Sequence, residues 1–307
     1  MAKFQIFTDS TCDLSTEIRK QYHIELVKMN VVKDGQEFFA DIDWKQYTSE
    51  ELYGWVDKGC KLTTTAVPMG QFLEKMRPLL EKGIDILYIA CSTKLSGSLG
   101  IFNLAKDQLL EEFPDRKMIG IDALNASCGE GILAIEASMR QDEGLSLEET
   151  AKWVEDHRTE IFQIVTLETL EYMKRSGRIK ASKAFLANIF RKKPIFISDA
   201  IGNNYTLGTV TGTKNANNEL IKAAQIRLLP EKFNKIFVVH AIAQERAELL
   251  KSRLQEIFKK SEIIITPLGP IVGITCGPGT VGIFGVGKEV TIYDGDGKKP
   301  TLDYTQL

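Results

Sequence analysis

Cysteine and histidine are too scarce and too scattered in this chain to indicate a metal site. The five cysteines include no pair at C-x-x-C spacing, and the three histidines lie far apart. Zinc sites and redox motifs usually need such pairs. We therefore predict no bound metal and reduced thiols, which are typical of a cytoplasmic protein.

The chain also lacks an excess of charge of either sign. It has 39 Lys and Arg residues against 41 Asp and Glu residues, so its formal net charge is −2. A nearly neutral protein exerts little electrostatic attraction on the phosphates of DNA or RNA. We predict no nucleic acid partner.

Long hydrophobic runs are missing as well. Residues 263–287 carry no charge, but Pro267, Pro270, Pro278 and several glycines interrupt them. A helix loses about 1 kcal/mol for each Gly and about 3 kcal/mol for each Pro. The stretch therefore predicts buried strands and tight turns rather than an integral membrane segment. The first residues, 1–6, lack the long apolar core of a signal peptide.

Common catalytic motifs are absent from the sequence. There is no G-x-S-x-G element and no phosphate-binding P-loop. Residues 277–282 formally match G-x-G-x-x-G, but only 25 residues follow, and their pattern predicts strands instead of a helix. A glycine turn is the better interpretation. Asp9 and Asp13 fit a carboxylate pair for acid–base chemistry and equally fit a loop that caps the next helix.

The order of predicted elements indicates two domains. A chain of 307 residues suggests two domains of roughly 150 residues each. Up to about residue 160, short apolar strands alternate with helices, which predicts a parallel sheet covered on both faces. We predict one strand at 25–32 and a polar loop at 61–68. Thr48 with Glu51 and Ser146 with Glu149 predict capping boxes that begin two helices. The later elements are mixed. The predicted fold is α/β with an N-terminal parallel α/β/α domain (1–160) and a C-terminal α+β domain (161–307).

Three hydroxyl-rich loops predict where a ligand binds. Residues 8–13, 63–65 and 92–98 follow predicted strands or precede predicted helices. In parallel sheets ligands bind beyond the carboxyl ends of the strands, and helix N-termini offer free backbone N–H groups to anions. The loops therefore fit a site for one small anionic or polar headgroup. Ordinary N-capping by Ser and Thr explains them equally well.

Five ordered segments resemble the DegV family. They are residues 7–14 (FTDSTCDL), 92–98 (STKLSGS), 170–179 (LEYMKRSGRI), 193–195 (KPI) and a C-terminal glycine-rich segment with GP at 269–270 and GPG at 277–279. The resemblance implies a two-domain protein that binds a long-chain fatty acid in the cleft between its domains and has no catalytic residues. In some bacteria such proteins present the fatty acid to a separate fatty acid kinase.

The resemblance also implies roles for particular residues. Arg178 is implied to contact the kinase partner. The family usually has an arginine where this chain has Thr211, and a histidine where it has Thr275. The residues implied to hold the headgroup are Ser96 and one of Thr64 or Thr65. Ser10, Gly97 and Thr275 are further candidates for binding the ligand.

Two other functions remain open at this point. The same cleft fits an enzyme or a binding protein for a small phosphorylated or dihydroxyacetone-like metabolite, although the sequence shows no evident nucleophile–base pair. An interaction protein that a ligand merely stabilises is the third possibility.

Overall fold

The first half of the chain folds around a parallel sheet. The computed structural model describes residues 4–179, 192–298 and 300–307. Four strands run parallel in the order β2-β1-β6-β7. They are β1 (Phe4–Asp9), β2 (Ile24–Val27), β6 (Asp85–Ala90) and β7 (Met118–Asp122). Strand β6 is buried along its whole length, as expected for a strand covered on both faces. The predicted parallel sheet is confirmed.

Helices cover both faces of this sheet. Helices α3 and α4 pack on one face, and α5 and α6 pack on the other. The predicted capping boxes, Thr48 with Glu51 and Ser146 with Glu149, are both present. The helices of this half are α1 (Thr16–Gln21), α2 (Ser49–Asp57), α3 (Met69–Glu81), α4 (Ser98–Glu112), α5 (Cys128–Asp142) and α6 (Leu147–His157).

A small antiparallel sheet corrects two sequence predictions. Its order is β4-β3-β5, with β3 (Asn30–Lys33), β4 (Gln36–Phe39) and β5 (Leu62–Thr65). The single strand predicted at 25–32 is wrong, because the chain leaves β2 and joins this second sheet as β3. The polar loop predicted at 61–68 is also wrong in part. Its β-branched threonines form β5, which pairs along β3 with Thr64 opposite Val31.

The second half of the chain forms a six-stranded mixed sheet. Its order is β10-β9-β8-β13-β11-β12, and only β11 and β12 pair in parallel. The α+β character predicted for this half is confirmed. The strands are β8 (Ile161–Thr166), β9 (Lys192–Ser198), β10 (Asn204–Thr211), β11 (Lys235–His240), β12 (Glu262–Pro267) and β13 (Val281–Val286). The helices are α7 (Glu171–Ser176), α8 (Thr213–Arg227), α9 (Gln244–Ile257) and α10 (Pro270–Cys276).

The uncharged stretch 263–287 contains a helix that the sequence analysis did not predict. Helix α10 begins with Pro270, whose missing N–H is harmless in a first turn, and ends at Gly277 with a φ of +82°. Residues 277–282 then turn into strand β13, so they do not open a helix as a dinucleotide site requires. Within the described ranges, no helix combines the length and apolar character that crossing a membrane requires.

The two sheets share one apolar core. Helix α5 contacts β1 in the first sheet and β8 and β13 in the second. The largest cluster of buried side chains joins Ile6 and Leu133 of the first half to Val165 and Phe284 of the second. Every strand of the parallel sheet precedes residue 160, and every strand of the mixed sheet follows it. The boundary between 1–160 and 161–307 stays a prediction.

Candidate functional site

A cavity of about 260 Å³ is lined by residues of both halves. Its wall on the mixed sheet is apolar and comes from adjacent strands. Val165 pairs with Phe196 and with Gly282, and Gly282 pairs with Val239. Val165, Phe196 and Val239 therefore form one row that faces the cavity, and Phe284 adds to it. Leu268, Ile271 and Val272 line another side, around helix α10.

Arg178 is the single charged side chain among the lining residues that the structure describes. It follows Gly177, whose φ of +70° ends helix α7 and turns the chain toward the cavity. The Arg178 Nε–H donates to the carbonyl oxygen of Leu95 at 3.2 Å. The Asn204 side-chain amide in turn donates to the Arg178 carbonyl at 2.9 Å. These bonds hold a cation at the junction of the two halves.

Ser96 and Gly97 line the cavity at the start of helix α4. The Ser98 N–H donates to the Ser96 hydroxyl oxygen at 3.2 Å, and the two serine hydroxyls lie 3.0 Å apart. Gly97 occupies the N-cap position of the helix. Ser96 thus accepts a backbone N–H at the start of helix α4 and faces the cavity at once, so a structural role and a binding role of this loop are not exclusive.

Thr64, Thr65 and Thr275 also line the cavity. Thr64 and Thr65 end strand β5, and within the described residues their hydroxyl groups have no hydrogen-bond partner. Thr275 lies in helix α10 and donates its hydroxyl proton to the Ile271 carbonyl oxygen at 3.1 Å. A ligand contact donated by Thr275 therefore requires that this bond within the helix be given up.

The structure does not bring Ser10 to the cavity. The Ser10 hydroxyl oxygen accepts the Met29 N–H at 2.8 Å, which ties the loop after β1 to the start of β3. The neighbouring Thr11 lines the cavity instead. Of the residues expected to bind a ligand, the structure gathers Thr64, Thr65, Ser96, Gly97 and Thr275 around one space, together with Arg178.

Behind Thr11 lie two buried carboxyl groups, those of Asp9 and Glu130. The Thr11 hydroxyl is 2.6 Å from Asp9 Oδ1 and also contacts Glu130 Oε2. The Thr11 hydroxyl has one proton and can donate it to only one of the two carboxyl groups. The other carboxyl group must therefore be protonated and donate to the Thr11 oxygen. Burial raises the pKa of Asp9, and burial together with the Asp9 charge raises the pKa of Glu130 well above its usual range. We infer that Glu130 holds the proton at neutral pH.

Asp13 connects the two halves beside the cavity. Its carboxyl group accepts the hydroxyl of the cavity-lining Ser127 at 2.5 Å and the N–H of Gly269 at 2.8 Å. Asp9 similarly accepts the Thr11 N–H and the Tyr88 hydroxyl. Both carboxyl groups are therefore engaged in organising loops, which favours that role over an acid–base pair.

Asp13 predicts a pH dependence of stability. Burial raises its pKa to about 7, whereas an unfolded Asp titrates near 3.9. Between these values the folded state holds a proton that the unfolded state has lost. The free energy of unfolding should therefore fall as pH rises, by at most about 1.4 kcal/mol per pH unit from this group. Asp13→Asn should remove that part of the slope in urea unfolding between pH 4 and 7. Exposed Asp107→Asn is the control, and equal slopes in all three proteins would contradict the assignment.

The comparison with known proteins decides the family. A family model described as an uncharacterised protein of the DegV family matches residues 3–288. The chain belongs to the DegV family. A DegV domain-containing protein of Clostridium perfringens is 29% identical over 94% of this chain and 98% of its own length.

Solved structures of DegV proteins share the fold. One, a DegV family protein from Thermus thermophilus reported for its fatty acid binding, is 28% identical, with a TM-score of 0.81 over 93% of this chain and 99% of that one. Another, a stearic-acid-binding protein from Eubacterium ventriosum, has a TM-score of 0.82 over 93% and 98% of the two chains. At 21% identity it supports the fold alone.

Several lining residues of this DegV protein were not predicted. Thr11 belongs to a loop that the sequence analysis did select, so its position next to Ser10 was the available signal. Ser127 follows strand β7 with an unusual φ of +55°. Gln163 is a polar residue within the buried strand β8, and that interruption was a signal. Asn204 gave no signal, because it follows Gly202 and Asn203 in a sequence typical of a turn, although the structure places it at the start of strand β10.

Proposed function

We propose that this protein binds a long-chain fatty acid in the cavity between its two halves, without catalysing a reaction. The observation that carries the proposal is the distribution of polarity around the cavity. Arg178 and the hydroxyl groups of Thr64 and Ser96 suit a carboxylate, and the row of Val165, Phe196 and Val239 suits an acyl chain. The Thermus thermophilus relative, reported for its fatty acid binding, supports the same ligand class.

The energetics of such a ligand agree with this arrangement. A sixteen-carbon acid has about 14 methylenes, each contributing roughly 0.8 kcal/mol when buried, or about 11 kcal/mol before losses of entropy. A hydrogen bond to a charged carboxylate contributes only about 1.5–3 kcal/mol. Tail burial therefore supplies the affinity, while Arg178 and the hydroxyl groups orient the carboxyl group and keep it from being buried unpaired.

Mass spectrometry of the denatured, purified protein tests this function. We expect a fatty acid in a near-stoichiometric amount from cells that contain free fatty acids. A phosphorylated or dihydroxyacetone-like metabolite would instead support the other binding function. A protein that carries neither, and that binds no added fatty acid after delipidation, would overturn the proposal.

The proposal extends to delivery of the fatty acid to a separate kinase in the cytoplasm. All five cysteines are free thiols, which suits a reducing compartment. Arg178 lines the cavity, and Thr211 is exposed at the end of strand β10. Capture of the host's fatty acid kinase should weaken in Arg178→Ala and strengthen in Thr211→Arg. Unchanged capture by both variants would contradict this part of the proposal.

Ser96→Ala separates the two roles of Ser96. Losing the contact with the Ser98 N–H should lower the free energy of unfolding by about 0.5–2 kcal/mol. Losing a donor to the carboxylate should weaken fatty acid binding by about 1–3 kcal/mol. Thr93→Ala is the matched control in the same loop, because the Thr93 hydroxyl contacts Asp122 and does not line the cavity. It should lower stability only. Equal affinities in wild type and Ser96→Ala would leave Ser96 only its structural contact with the Ser98 N–H.

A further inference from the structure

Gln163 places a buried amide on the apolar wall of the cavity. Strand β8 alternates between the two faces of its sheet. Phe162 and Ile164 pack in the core behind the sheet, whereas Ile161 and Val165 face the first half of the chain. Gln163 shares the face of Ile161 and Val165, is only 5% exposed, and lines the cavity.

Among the buried polar groups of the lining that the structure describes, the Gln163 amide is the one without a hydrogen-bond partner. The other buried or helix-bound polar groups of the lining are engaged. Thr11 contacts the carboxyl pair, Ser127 donates to Asp13, and Thr280 donates to the Gly277 carbonyl oxygen. The amide faces the open space of the cavity rather than the packed core. An acyl chain that covers the amide without pairing with it would leave it unsatisfied, so a bound group that does pair with it gains a corresponding advantage.

The surroundings of Gln163 separate it from the carboxylate end of the cavity. Gln163 lies opposite Phe284 in the sheet and two residues, about 6.7 Å, from Val165 along the strand. The Arg178 guanidinium is bonded to the Leu95 carbonyl in the first half of the chain, whereas Gln163 lies on a strand of the second half. A ligand whose carboxylate lies at that guanidinium therefore places its acyl chain, and not its carboxyl group, beside Gln163.

The chemistry of a primary amide identifies the group that it would recognise. The amide has two N–H donors and a carbonyl acceptor, and a hydroxyl group both donates and accepts a hydrogen bond. A plain methylene chain offers neither. We propose that the preferred ligand is a long-chain fatty acid with a hydroxyl group on its chain, and that Gln163 selects it. This inference rests on the proposed fatty acid binding.

Paired titrations of the delipidated protein test the proposal. The probes are stearic acid and its 10-hydroxy and 12-hydroxy derivatives, and the measured quantity is the ratio of their dissociation constants within each protein. We expect wild type to bind at least one hydroxy acid about tenfold more tightly than stearic acid. Gln163→Met, of similar length but without an amide, should bring that ratio to about one and tighten stearic acid binding.

Val165→Ala is the matched control on the same strand and face. It removes apolar contact without changing hydrogen bonding, so it should weaken all three acids and leave their ratio as in wild type. Because each ratio is measured within one protein, a moderate loss of stability does not affect it.

Three outcomes would overturn the assignment of Gln163. One is a ratio near one in wild type, and another is the same preference in wild type and Gln163→Met. The third is an equal weakening of all three acids by Gln163→Met, which would place the carboxyl group at Gln163. In each of these cases stearic acid still binds. Binding of none of the acids to wild type would instead overturn the fatty acid function itself.

Discussion

Gly277→Ala is expected to lower the free energy of unfolding by about 2–6 kcal/mol. Gly277 ends helix α10 with a φ of +82° and a ψ of 167°, a conformation almost confined to glycine. Backbone strain there amounts to about 1–3 kcal/mol. An added Cβ would also lie 2.4 Å from Cδ2 of Tyr172, and overpacking adds about 1–3 kcal/mol. Because α10 lines the cavity, ligand affinity should fall as well.

Gly212→Ala is the matched control for this substitution. Gly212 has nearly the same backbone conformation, with a φ of 83° and a ψ of 150°, but a Cβ there would meet no atom within 4 Å. It should show the strain alone, about 1–3 kcal/mol. Urea unfolding of the two variants isolates the effect of the contact with Tyr172. Equal losses would show that the close approach contributes nothing.

Local signals predicted the parallel half of the fold well. Strand β6 is apolar from Ile86 to Ala90, as expected for a strand buried on both faces, and such a run is recognisable in the sequence. The capping boxes at Thr48 and Ser146 begin helices α2 and α6 at the expected places. In each case the residues that determine the structure lie within a few positions of one another.

The wrong predictions concern elements that distant residues determine. In the sequence, the threonines of β5 are typical of a polar loop. In the structure they form a strand because they pair with β3, which lies about 30 residues earlier in the chain. Helix α10 contains glycine and β-branched residues that favour other structures, and its packing against α7 and α2 overrides that preference.

Only those residues of the candidate site that lie in a recognisable sequence motif could be predicted. The resemblance selected the loops with Thr64 and Ser96, which the structure brings to the cavity. It could not separate Ser10 from Thr11, because the direction of each side chain depends on the contact of Ser10 with Met29. Gln163 lies outside every motif, and its importance depends on being left without a partner after folding.

Glu130→Ala is the second substitution for which we expect a large effect. Glu130 is fully buried in helix α5, and its carboxyl group contacts the hydroxyls of Thr8 and Thr11 and the N–H of Asp9. Alanine would leave a cavity and remove a partner from each of these groups. Breaking such a buried network lowers the free energy of unfolding by about 3–5 kcal/mol. Glu130→Gln should cost far less, because glutamine resembles the protonated acid in shape and in donors.

The pH dependence of the two variants tests whether Glu130 is protonated. A carboxyl group whose pKa is raised by burial favours the folded state while it stays protonated, and that contribution is lost as pH rises from the unfolded value, near 4.3, towards the folded one. Glutamine has no proton to lose. Between pH 5 and 9, urea unfolding should therefore show a shallower decline for Glu130→Gln than for wild type. An equally steep decline, or a loss as large as that of Glu130→Ala at pH 6, would mean that Glu130 is ionised and that Asp9 carries the shared proton.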